Sequence, residues 1–413
     1  MSNAKGEAQI ENTANSYLIS APGYYEIPLV YGNAIKNGSD NPSSYKTQHT
    51  GTYILSHFKD HMGTPISSPY INIQNASNPA DNATLVWADH AGLVENLSVV
   101  NNGSNSFVRF HIPADKIVNG NAVIAVRDHS GTVMWSWHLW FDHADVLNTI
   151  VSQNAEGHTY RFTKRILGAF YSIYSAAGST MRAKVEQLTT GNGGKKQFGY
   201  INFSIENNNR RRQTIAPFYQ FGRKDPSPGY NTVPEGSFVA EKTEIVSIVN
   251  QIQHPEKFYC HQNSYNPLMT YPLLSTNEVF SINFWSMEST ARSVKDENVV
   301  KTIYDPCPVG FKVPPLNAFG GIHPGGNMMV DGLDYYLTPT ATETSLFIPF
   351  AGFRDQYGIA WNIPRYATIC WTSSPKNDNM YEGNVFWKDI YSASLSYFRT
   401  LAGGNTIYPI ADD

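Results

Sequence analysis

Apolar residues along this chain recur mostly at alternate positions, in short runs separated by Gly, Pro, Asn and Ser, the pattern of half-buried strands joined by tight turns. Residues 17–30 read as two strands around Ala21-Pro22-Gly23, the second carrying Tyr25, Ile27 and Leu29 on one face. Leu85-Val86-Trp87 reads as a buried strand, and 107–112 alternates Val108, Phe110 and Ile112 against Arg109 and His111. The strongest local unit is 121–141. Its apolar runs, 122–126 and 133–141, flank Arg127-Asp128-His129-Ser130-Gly131, whose Asp, Ser and Gly supply hairpin turn chemistry. In the second run Val133, Trp135, Trp137 and Leu139 share one face and Met134, Ser136, His138 and Trp140 the other. A strand this aromatic on both faces belongs at the centre of a sheet, and the set predicts an immunoglobulin-like antiparallel β-sandwich over residues 5–145.

Over 146–212, the runs 181–185 and 198–205 flank Thr189-Thr190-Gly191-Asn192-Gly193-Gly194 and predict a hairpin with a long glycine-rich tip. It either completes the sandwich or bridges to the next domain. Arg210-Arg211-Arg212, after Asn207-Asn208-Asn209, reads as a solvated turn, with a proteolytic processing site as the lesser alternative. From 213 the texture changes. Thr243 is placed to cap a helix in which Ile245, Ile248, Val249 and Ile252 follow helical spacing until Pro255, and a second helix is expected over 296–303, ended by Asp305-Pro306. Strands come next at 346–350, 367–371, 394–398 and 406–410, so 213–413 reads as an α+β domain.

Composition narrows the class. A chain of 413 residues exceeds one ordinary core, and 15% charged against 41% hydrophobic residues excludes a disordered protein. The net charge of -4 offers no basic excess for phosphates, so no nucleic-acid partner is expected, and no apolar run is long enough for a membrane-spanning segment. Met1-Ser2-Asn3-Ala4 reads as an expression-vector remnant and is set aside, with the signal peptide taken as trimmed away. Three cysteines leave the redox compartment open: one disulfide, with Cys260 and Cys307 the preferred pair, or three free thiols.

Candidate chemistry is sparse. His138 and His143 lie five apart on a strand and face opposite sides, so they cannot share an ion. His254, Cys260, His261 and Cys307 form a weak zinc candidate, and Asn377-Asp378-Asn379-Met380-Tyr381-Glu382 a partial calcium pattern; structural readings are preferred for both, and no metal or cofactor is assigned. No GxSxG, HExxH or phosphate loop occurs, and the acids Asp331, Asp334, Asp355, Glu382 and Asp389 are scattered, so no catalytic residue is assigned. What stands out is aromatic and polar residues on Gly-rich segments: Tyr335, Tyr336, Arg354, Asp355, Tyr357, Trp361 and Asn362. A flat ring beside amides and carboxylates suits recognition of a sugar or protein surface; the competing reading is that these aromatics are simply core.

Tyr304-Asp305-Pro306-Cys307-Pro308-Val309-Gly310-Phe311-Lys312-Val313-Pro314 resembles the signature of Bacteroidales cell-surface proteins that carry a Fibrobacter succinogenes major paralogous (FISUMP) domain. Tyr219-Gln220-Phe221-Gly222-Arg223-Lys224-Asp225-Pro226, Cys370-Trp371-Thr372-Ser373-Ser374-Pro375 and Thr406-Ile407-Tyr408-Pro409-Ile410 fit the same pattern in order. The first domain resembles the usual neighbour through Ala14-Asn15-Ser16-Tyr17-Leu18-Ile19-Ser20, the run 30–38, and Met134-Trp135-Ser136-Trp137-His138-Leu139-Trp140. The resemblance implies a fimbrillin-like adhesin of the cell surface, outer membrane or fimbrium, some members being pilus tips, with a C-type-lectin-like last domain. Lectin calcium motifs and a reactive cysteine pair are not present, so it transfers an architecture and no site. The chain stops three residues after Ile410, which leaves no C-terminal donor strand and favours a terminal or non-polymerising position.

The expected protein is therefore mainly β, an immunoglobulin-like sandwich followed by a lectin-like α+β domain. It is expected to bind a host glycan or protein, with other pilus subunits as further partners. Two alternatives are a carbohydrate-active enzyme and a self-assembling pilus subunit.

Overall fold

The computed structural model describes residues 10–47, 55, 57–154, 156–175, 179–187, 198–205, 210–230, 232–242, 246–260, 284–287, 299–329, 332–336, 345–361, 368–376, 382–388 and 393–413. The fold is mainly β. A five-stranded sheet runs Ser16–Ile19, Val133–Phe141, Gly120–Asp128, Ala80–Ala88, Glu235–Gly236, and faces a three-stranded sheet of Gly23–Pro28, Phe107–Ile112 and Glu95–Val100. Tyr17, Ile19, Ile124 and Trp135 from the first and Ile27, Val108, Phe110 and Ile112 from the second form one buried cluster.

The hairpin expected at 121–141 is present as Gly120–Asp128 paired with Val133–Phe141. Every residue of Val133–Phe141 is buried because each face has its own cover. Trp135, Trp137 and Leu139 enter the sandwich core, while Ser136, His138 and Trp140 meet segments beyond residue 215. One strand departs from the antiparallel expectation: Ser16–Ile19 pairs parallel to Val133–Phe141. The turn before Gly23, a residue with φ 148, sends the chain into the opposite sheet, so the two strands of 17–30 sit in different layers.

Packing runs across both expected domain boundaries. Glu235–Gly236 closes the first sheet against Trp87 and Ala88, and only glycine fits at 236, where φ is +86 and a Cβ would lie 2.2 Å from the Val86 carbonyl oxygen. The helix Ile248–Gln253 buries Ile248 and Ile252 in the sandwich core, beside Ile303 and Tyr304. Thr149–Gln153 and Thr159–Thr163 pair with Ile410–Ala411 and Phe311–Lys312 in a four-stranded sheet. The largest sheet of the second half joins Ala360–Trp361, Phe353–Arg354, Gly404–Ile407, Thr368–Pro375, Glu382–Lys388 and Ala393–Thr400, with Tyr219–Gln220 added on Gly404–Ile407.

Several local expectations shift. Thr243 and Ile245 lie outside the described residues; the helix is capped by Ser247, whose hydroxyl accepts from the Asn250 amide at 3.0 Å. Residues 299–303 are not helical: Lys301 instead bridges Ser286, and 296–298 lie outside the described residues. Arg210, Arg211 and Arg212 belong to a strand, Arg210–Ile215, paired with Phe170–Ser175, and not to a turn. Tyr335 and Tyr336 also lie on a strand, Gly332–Tyr336, paired on both sides by His323–Met329 and Ser345–Pro349. The three cysteines are free, buried thiols, so the Cys260–Cys307 disulfide is not formed.

Candidate recognition site

The sequence motifs converge on one buried seam. Asn15 donates its amide to the Ile303 and Asp305 carbonyls at 2.6 and 2.8 Å and accepts from the Trp135 indole at 3.1 Å. Asp305 makes the Pro306 turn by accepting from the Cys307 amide at 2.7 Å and the Val313 amide at 2.9 Å. The Lys301 ammonium, 3.3 Å from Asp305, donates to the Cys307 and Pro308 carbonyls. Lys224 and Asp225 form a second buried ion pair at 2.8 Å, and Ser136 donates to Asp225 at 2.7 Å. Burial brings the Lys224 ammonium down to about 8, against the opposing pull of Asp225. Beside this pair a cavity lined by Ile248, Ile252, Phe284 and Tyr304 has room for about one water.

His138 sits in the same seam with the outline of a nucleophile–base arrangement. Its Nδ1 is 3.0 Å from Ser16 Oγ and 3.1 Å from the Tyr219 hydroxyl, and its Nε2 is 2.8 Å from Asn121 Oδ1. The Asn121 amide nitrogen donates to Asp89 at 2.8 Å and to the Gly168 carbonyl at 3.0 Å, so its oxygen accepts from Nε2–H and Nδ1 accepts from Tyr219. Ser16 donates to the Pro306 carbonyl at 2.5 Å. All of these side chains are buried; burial holds His138 down to about 3 and pushes Asp89 up to about 6. A buried imidazole kept neutral, with its hydrogen bonds filled, ties sheets together.

The seven residues expected to bind ligand divide into three groups. Asp355 is a turn former at the tip of the Phe353–Arg354/Ala360–Trp361 hairpin. Its Oδ1 accepts from the Tyr357 and Ile359 amides, both at 2.9 Å, and its Oδ2 accepts from the Trp361 indole at 2.7 Å. Arg354 points inward, donating to the Gly358 carbonyl at 2.7 Å and the Pro228 carbonyl at 2.8 Å, with its guanidinium over Phe238 and Phe258. Desolvation lowers Arg354 to about 10, so it remains charged at neutral pH, buried beneath the tip rather than open to a ligand. Trp361 is exposed, at 44%, and Tyr357 is half-buried. Asn362 lies outside the described residues, and Tyr335 and Tyr336 occupy the separate three-stranded sheet.

Sequence reasoning passed over Ile359, two positions before Trp361 and 55% exposed, and Val239, also exposed. A Cβ on Gly358 would lie 2.9 Å from Ala240, which places the tip against the strand that carries Val239. An apolar residue inside a turn was the available signal for Ile359. His254 bonds to Glu256 at 3.1 Å, His261 lies outside the described residues, and His143 is exposed. Among the described residues no group of three His, Cys, Asp or Glu is placed to hold a metal ion, and of the calcium pattern only Glu382 is described, paired with Lys376 at 2.7 Å. No protein-family model, curated protein or solved structure matches the chain.

Proposed function

We propose that this chain is a non-enzymatic cell-surface adhesin of the fimbrillin-like, pilus-tip type that its motifs resemble, recognising a host glycan or protein. In this reading it works outside the cell, at the outer membrane or fimbrium, with other pilus subunits as further partners. Residues 5–145 serve as an immunoglobulin-like mount and 213–413 as the lectin-like recognition domain.

The observation that carries the reading is the fixed indole of Trp361, exposed beside Ile359 while Asp355 holds its N–H. A ring already held in place loses little freedom on binding, and its face can cover the C–H face of a pyranose or an apolar side chain. Arg354, bonded beneath the turn, stiffens the platform.

The test is a glycan and host-protein array probed with the whole chain, because the buried seam makes a 213–413 fragment an unsafe substitute. Binding that Trp361→Ala abolishes supports the reading. No ligand up to millimolar concentration, or binding indifferent to Trp361, rejects it.

A further inference from the structure

The hairpin rising from Phe170 and Ile215 is unlike the rest of the fold. Phe170–Ser175 pairs with Arg210–Ile215, and beyond it Ser179–Glu186 pairs with Phe198–Ile205, one residue out of step, so the two pairs continue along one ribbon. Phe170 is buried at the root, whereas 182–187 and 198–203 are exposed throughout. Among the described residues the outer strands pair only with each other, over about 25 Å of length. In an antiparallel pair, residues directly opposite share a face. Val185 stands opposite Gly199 and Ala183 opposite Ile201, and with Phe203 they make an apolar patch, with Ser179 farther along the same face; Val185, Ile201 and Phe203 are 52%, 49% and 49% exposed. On the other face Arg182 lies over the Tyr200 ring at 3.8 Å and Lys184 over Phe198 at 4.8 Å, with Glu186 at 3.6 Å from Lys184.

Charge is concentrated here too. Residues 170–215 hold seven Lys and Arg against two Glu, a net +5, while the remainder of the chain holds 23 against 32, a net -9. A second copy of the ribbon laid on the apolar face would cover it and leave the cations of the opposite face unanswered. A polyanionic glycan would answer the cations and leave the apolar face in water. An anionic bilayer interface answers both, because phosphate and hydrocarbon lie within a few ångströms of each other there.

We propose that this ribbon docks on the surface of an anionic lipid bilayer, with Val185, Ile201 and Phe203 entering the headgroup–acyl boundary and the cations meeting lipid phosphates. The ribbon lies flat: its outer edges carry unpaired backbone N–H and C=O groups, which must stay at headgroup level. The proposal is independent of the Trp361 platform, which sits on another sheet.

Co-flotation of the full chain with vesicles tests it. The chain should float with equimolar phosphatidylcholine and phosphatidylglycerol, stay behind with phosphatidylcholine alone, and release at molar salt. Arg182→Gln with Lys184→Gln should weaken partitioning by about fivefold per cation removed. Ile201→Thr with Phe203→Thr should weaken it by about tenfold or more. Unfolding midpoints equal to the parent's would show that the variants fold; if they do not, the lipid and salt dependence of the parent decides alone. No flotation with anionic vesicles, or flotation unchanged by salt or by properly folded variants, overturns the proposal. So does concentration-dependent self-association lost in the Phe203→Thr variant without vesicle binding, which would assign the face to a second copy.

Discussion

Replacing Asp89 by Asn gives a stability change whose sign depends on pH. The carboxylate is buried and accepts from Asn121 at 2.8 Å, a bond that an asparagine oxygen can retain. Burial raises its folded-state value from 3.8 to about 6, with the Asn121 hydrogen bond opposing. A folded value above the unfolded one means stability fully present below 3.8 and lost as pH rises through about 6. A shift of about 2 units at about 1.4 kcal/mol each makes that loss about 3 kcal/mol. Asn cannot ionise and escapes it. Urea unfolding followed by tryptophan fluorescence should therefore find the variant gaining about 3 kcal/mol on the parent between the two ends of that window. His138, held low by burial, contributes stability above its ordinary 6.5 that is lost as pH falls toward about 3, and this term cancels between parent and variant. A difference that stays constant within about 0.5 kcal/mol across the window would refute the reasoning that Asp89 is desolvated by its burial against the first sheet.

Two further outcomes test the seam and the redox reading. Lys301→Met leaves the Asp305 carboxylate buried without its cation and should cost about 3–5 kcal/mol by urea unfolding; a cost under about 1 kcal/mol would remove the ion pair from the account. Burial pushes Cys260 up to about 11 and Cys370 up to about 12 and raises Cys307, so an aromatic disulfide reagent should find no reactive thiol in the native chain and all three after denaturation. A single thiol after denaturation without reductant would mean that two are paired.

The alternating runs made the strands legible, because a period of two shows directly in side-chain type; 107–112 and the 121–141 hairpin needed no distant information. What covers a face is not local. Nothing near residue 354 in sequence shows that Phe238 and Phe258 cover its guanidinium, so the burial of Arg354 was not legible there. The motifs were readable one by one, but their meeting, with Asn15 bonded to Asp305 and Ser136 to Asp225, depends on contacts across much of the chain. Lys301 shows why the second helix fails after 298: its ammonium gathers carbonyls of the Cys307-Pro308 turn, which a helix at that point would not bring within reach. The ribbon strands were visible, but alternation does not distinguish a strand that will be covered from one left open.

Recognition through a fixed Trp361 is the central claim, and titration calorimetry with the best ligand from the array, on the parent and on Trp361→Ala, tests it most directly. The account predicts a loss of about tenfold or more in affinity, about 1.4 kcal/mol, with the unfolding midpoint unchanged. Equal affinities for two folded proteins would contradict it.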